Sequence, residues 1–110
     1  MFGIEKSSVP SYVIENITDS LKCSDINDED DWYDSLHEFI DYWVGGSTGE
    51  AKKLVDDFGV LKAIRLYWNS AGCDFELDDN DNKVYLELAY CIIKEWFNEH
   101  MDYDTFKTST

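Results

Sequence analysis

The sequence predicts an all-α protein, a compact bundle of four to five helices with an acidic outer face. Three observations lead there. Apolar residues recur at helical spacing in successive segments, the strong chain breakers fall between those segments, and carboxylates gather on the sides away from the apolar stripes. With 44% hydrophobic and 15% aromatic residues, the chain is too apolar for an acidic disordered tail. Its 110 residues suit one domain, 1–110, with loosely ordered ends at 1–9 and 102–110.

The first helix is expected over roughly 11–22. Pro10 suits its start, because the missing N–H costs nothing there, and Val13, Ile14, Ile17 and Leu21 form its inner face. Asp25 or Asp28 caps the second helix, whose acidic first turns favour the positive end of its dipole. Its stripe is Trp32, Leu36, Phe39, Ile40 and Trp43. "GGSTGE" then breaks the chain, and Ser47 with Glu50 has the spacing of a capping box.

A third helical region carries Leu54, Val55, Phe58, Leu61, Ile64 and Trp68, with Gly59 splitting or bending it. "SAGC" ends it, Gly72 being the natural left-handed residue after the last turn. "DFELDDNDN" reads as a polar connector. The last helix runs from about Lys83 to His100, with Val84, Leu88, Cys91, Ile92 and Trp96 inward.

Charge is the dominant feature. There are 24 acids against nine bases, a formal charge of −15. Such a balance opposes direct binding to nucleic acid or to an anionic membrane, and attracts basic proteins or cations. It is unevenly placed. From Thr48 to Ser70 four bases face three acids, whereas the other 87 residues carry a balance of −16. The near-neutral region escapes mutual repulsion, so a self-association contact is expected there, with Tyr67 and Trp68 as its aromatic residues.

Between Asp25 and Asp41 lie eight carboxylates and no lysine or arginine. Asp31, Asp34, Glu38 and Asp41 are three, four and three residues apart, so they share the helix face away from the tryptophans. Like charges at that spacing cost a few tenths of a kcal/mol per pair. A solvated acidic face is the ordinary explanation, yet a surface built for solubility alone would interleave lysines. A row of this kind is comparable to the phosphates along one strand of a duplex.

Other chemistries fit poorly. A calcium loop starting at Asp78 meets its third and fifth positions with Asn80 and Asn82, but then places Lys83 where glycine belongs and Ala89 where glutamate belongs. Loops started at Asp74 or Asp25 put Tyr85 or Leu36 at the last position. His37 and His100 have no partner at metal-ligand spacing, and His37 is expected to border the apolar stripe or to bond a nearby carboxylate. No phosphate loop or nucleophile motif is present, so no enzymatic activity, metal or cofactor is expected. Cys23, Cys73 and Cys91, odd in number and far apart, suggest reduced thiols in a cytoplasm. The start "MFGIEKSSVPS" lacks the features of a signal peptide, and no apolar run is long enough for a membrane span.

"DINDEDDWYDSLH" resembles the acidic signature of the Ocr anti-restriction proteins of bacteriophages, a pattern D-I-x-D-x-D-D-x-x-D-x-x-H met here by Asp25, Ile26, Asp28, Asp30, Asp31, Asp34 and His37. "SAGCDFELDD" and "VYLELAYCIIKEW" resemble two later segments of that family. The resemblance implies an elongated acidic homodimer that mimics DNA and occupies the DNA-binding site of a host defence enzyme, such as a type I restriction–modification complex. Asp25, Asp28, Asp30, Asp31, Asp34, Glu38 and Asp41 would carry the phosphate-like charges, extended by Asp74, Glu76, Asp78 and Asp79. A phage-type or mobile-element-type protein acting in the host cytoplasm is implied. This chain departs from the family in a longer gap after the first block, which holds Lys52 and Lys53, and in ending "FKTST" without a strongly acidic tail. The alternative is an acidic adaptor that binds a basic host protein, such as a transcription or nucleoid factor, without imitating DNA.

Overall fold

The computed structural model describes residues 4–71 and 82–109, without the side chains of 68–71, 82, 83 and 109. Regular structure among them is entirely helical: a short 3-10 turn at Lys6–Ser8, then α1 (Ser11–Lys22), α2 (Glu29–Gly46), α3 (Thr48–Phe58), α4 (Val60–Ala71), α5 (Asn82–His100) and α6 (Tyr103–Ser109). The all-α expectation holds. Six helices replace the four to five expected, because Gly59 divides the third region in two and the C-terminal segment adds one.

Helix α1 begins where Pro10 predicts. Pro10 stands just outside it in an extended conformation, and its carbonyl accepts hydrogen bonds from the N–H groups of Val13 and Ile14. All four expected residues of α1 are buried. The break between α3 and α4 is a property of Gly59 alone. Its φ of 109° lies in a region that side-chain-bearing residues avoid. Gly59 ends α3 by donating its N–H to the Val55 carbonyl, and starts α4 by accepting from the N–H of Ala63. The capping box expected at Ser47 and Glu50 does not form: Ser47 makes no side-chain cap, and the Glu50 carboxylate accepts from the Tyr12 hydroxyl at 2.9 Å.

Helix α5 is the central element. It packs on α2, α3 and α4, while α1 lies against α2. Its buried residues Val84, Leu88, Ala89, Cys91, Ile92, Ile93, Trp96 and Phe97 cover most of its circumference, the pattern of a helix surrounded by others. Among the described side chains of α4, Ala63 and Leu66 are buried and Leu61 is 74% exposed, so the stripe expected through Leu61 is rotated. A restart at Gly59 resets the helical phase, and a stripe drawn continuously across it cannot stay in register.

Described residues near both ends contact the core. Ile4 and Val9 are buried in the core. The Ile4 N–H donates to Glu99 Oε1 at 3.2 Å, its carbonyl accepts from His100 Nε2, and Trp96 Nε1–H donates to the Lys6 carbonyl at 3.1 Å. At the other end, Asp102 accepts from the Thr105 N–H and so caps α6. Phe106 reaches Trp32 with ring centroids 4.7 Å apart, and Phe97 and Tyr103 each lie 6.3 Å from the same ring. Both segments expected to be loose, 1–9 and 102–110, thus make core contacts within Ile4–Val9 and Asp102–Ser109. One aromatic residue per short segment suffices to dock it when the partner is a large buried ring.

Two outcomes follow from this packing. Gly59→Ala lowers stability by about 1–3 kcal/mol through backbone strain, since a Cβ there meets only the Lys62 side chain, 3.5 Å away, at ordinary contact distance. Urea unfolding reads it as a lower midpoint at unchanged slope. The second concerns Glu95, whose carboxyl is pushed up by burial first and then by the hydrogen bond and charge of Glu99. Glu99 Oε2 is buried without a partner among the described residues, so a proton on Glu95 is what would satisfy it. A raised carboxyl contributes stability below its unfolded pKa and loses it as the pH rises through the folded value. Glu95→Gln therefore raises the melting temperature at pH 7 more than at pH 4, as thermal unfolding at the two pH values would show.

Candidate functional site: the acidic face of α2

The site is built by α2. Asp28 is its N-cap, with Asp28 Oδ1 accepting from the Asp31 N–H at 2.8 Å. The Asp31 carboxylate reaches back to the Asn27 N–H at 3.2 Å, so the two acids satisfy donors at the helix start reciprocally. Of the two capping candidates, Asp28 serves and Asp25 does not. The inward face consists of Trp32, Leu36, Ile40 and Val44, all buried. Phe39 and Trp43 are half-buried and pack against the core's edge.

A residue advances 100° around a helix, which puts Asp31, Asp34, Glu38 and Asp41 on the side opposite Leu36. Asp34, Glu38 and Asp41 are exposed, as are Asp25, Asp28 and Asp30, whereas Asp31 is half-buried by its capping role. No lysine or arginine pairs with Asp25, Asp30, Asp34 or Glu38 among the described residues. Asp41 is different: His37 Nε2 lies 2.9 Å from its Oδ2, one turn away. The other ring nitrogen of His37 meets the Tyr90 hydroxyl on α5. His37 therefore does bond a nearby carboxylate, and it also ties α2 to α5. Nothing in the sequence pointed to Tyr90, because a contact 53 residues away leaves no local pattern.

Four carboxylates from Asp31 to Asp41 span about 15 Å of helix axis at 1.5 Å per residue. One strand of a duplex carries about four to five phosphates over the same length. The axial charge density of the row and of a DNA strand therefore agree.

The bases sit elsewhere. Lys52 lies over the Tyr85 ring at 5.3 Å and Lys62 over the Phe58 ring at 4.9 Å, so these lysines cover aromatic faces in the near-neutral region. Tyr67, expected at a self-association contact, is half-buried and packs against the core; the Trp68 side chain lies outside the described residues. Exposed apolar groups instead include Tyr42, 83% exposed, and Leu61. Asp74, Glu76, Asp78 and Asp79 lie outside the described residues, as do Gly72, Cys73 and the connector. Cys23 and Cys91 are free thiols. Burial, the main cause, pushes the Cys91 thiol up to about 11, which suits packing rather than reactivity.

Among the described residues no group of three or more His, Cys, Asp or Glu side chains is placed to hold a metal ion, and no helix is long and apolar enough to cross a membrane. No family model matches the chain, and neither a curated protein nor a solved structure matches it.

The geometry separates acids with a structural task from acids without one. Asp28→Ala removes the α2 cap and lowers stability by about 1 kcal/mol. Asp34→Asn leaves stability unchanged or raises it by relieving repulsion. Paired chemical denaturation of the two variants checks the contrast.

Proposed function

We propose that this protein is an acidic DNA mimic that occupies the DNA-binding site of a host defence enzyme, of the type I restriction–modification kind or similar, and blocks its access to DNA. The observation that carries the reading is the outward row on α2. Asp34 and Glu38 are exposed without a basic partner among the described residues, while the opposite side of the same helix is locked in the core. The resemblance of "DINDEDDWYDSLH" to the Ocr signature points the same way.

Physical economy supports the reading too. A duplex must release condensed counterions and bend before a clamping enzyme can hold it. A folded acidic surface arrives already shaped, which removes part of the ordering cost of binding. Its field also accelerates encounter with a basic cleft. The long dimension of the chain is 40 Å, a little more than one turn of duplex at about 34–36 Å. An elongated homodimer, as the family resemblance implies, would extend the same charge pattern over further turns.

The test is competition on a purified restriction–modification complex. The protein and its DNA site should exclude each other, and added salt should weaken the protein's binding. The double variant Asp34→Lys with Glu38→Lys is expected to bind about tenfold or more weakly, as reversal of paired interface charges generally produces. Undiminished inhibition by that variant would reject mimicry through this face. A stable ternary complex with DNA would favour the adaptor reading instead.

A further inference from the structure

We propose that the cavity between α2, α4 and α5 is a binding site for a small organic cation, an amine or guanidinium carried on an apolar body. The proposal does not depend on DNA mimicry and concerns a different surface, which meets the acidic row only at Asp41.

The cavity has a volume of about 710 Å³, within the range of about 300–1,000 Å³ of sites that enclose small molecules. Its apolar wall includes Val44 of α2 and Leu86 of α5. Two phenol side chains, Tyr67 of α4 and Tyr90 of α5, complete the lining. The charged lining is three carboxylates, Asp41, Glu87 and Glu95, against one ammonium, Lys94. In its neutral form His37 adds no positive charge: Nε2–H donates to Asp41 and Nδ1 accepts the Tyr90 hydroxyl proton.

Burial and then the charge of Asp41 push Tyr90 up to about 12. At Cys91 burial raises the thiol first, the charge of Lys94 opposes it, and Glu87 and Glu95 raise it further. The pocket thus combines an apolar wall with an acidic, solvent-facing margin, complementary to a cation with a hydrophobic body and unfavourable to its anionic counterpart.

Gly45 supplies the discriminating variant. It lines the cavity, and a Cβ built there has nothing within 4 Å; the same is true at Gly46, which does not line it. Gly45→Phe adds a ring at the cavity lining without changing charge, and Gly46→Phe is its control. Benzamidine and tryptamine, titrated into the labelled full chain by NMR, should give saturable shifts at Val44, Leu86 and Tyr90, and benzoate should not. Gly45→Phe is expected to weaken binding about tenfold, or about 1.4 kcal/mol, with Gly46→Phe unchanged. Should Gly45→Phe fail to fold, Glu87→Gln must weaken binding while Glu15→Gln, an equal charge change outside the cavity, does not. Equal binding of benzoate, equal loss in each variant and its control, or shifts confined to Asp30, Asp34 and Glu38 would overturn the proposal.

Discussion

The structure depends on the one-sided anchoring of α2 by Trp32. This residue is only 1% exposed and meets Phe97 from α5 together with Tyr103 and Phe106 from α6. Magnitudes show why the anchor prevails over the charge beside it. Three neighbouring like-charge pairs along the row cost about 1 kcal/mol together, whereas emptying a buried tryptophan site costs about 3–5 kcal/mol. The acidic face persists because the apolar face outweighs it.

That imbalance organises the rest of the molecule. Helix α5, buried on most sides, is the surface on which α2, α3 and α4 assemble. The segment from Ile4 to Lys6 closes over it through Trp96, Glu99 and His100, and the C-terminal helix docks on Trp32 of α2 through Phe106. Lys52 and Lys62 lie over aromatic rings rather than beside the acids of α2, so the separation of charge visible along the chain survives folding there. The proposed activity and the proposed cavity both draw on this separation. One uses the negative field in the open, along Asp34 and Glu38, and the other uses it inside a partly apolar enclosure.

Much of this was legible in the sequence. Helix periods located α1, α2 and α5 closely; Pro10 and Asp28 marked the starts of α1 and α2, and Gly59 the break between α3 and α4, for stated physical reasons. What escaped was long-range. Phe106 sits in a short polar tail, and only its partner Trp32, 74 residues earlier, explains why that tail is helical. The phase reset at Gly59 displaced Leu61 from the core, which no continuous stripe could anticipate. At the candidate site, periodicity located the outward face of Asp31, Asp34, Glu38 and Asp41. It could not show that Asp31 is tied to the Asn27 N–H, or that Asp41 is held by His37 and through it by Tyr90. Residue type and spacing reveal a face; which members are already occupied emerges only from tertiary contacts.

The central claim is that the negative row belongs to a rigid, preformed helix and not to one that orders on contact. Native-state hydrogen exchange at low ionic strength, where repulsion is strongest, tests it most directly. The account predicts that amides at Leu36, Phe39 and Ile40 exchange only with global unfolding, at the same free energy as Ile92 and Ile93 of α5. Exchange of the α2 amides through a separate, lower-energy opening that closes on adding salt would contradict it.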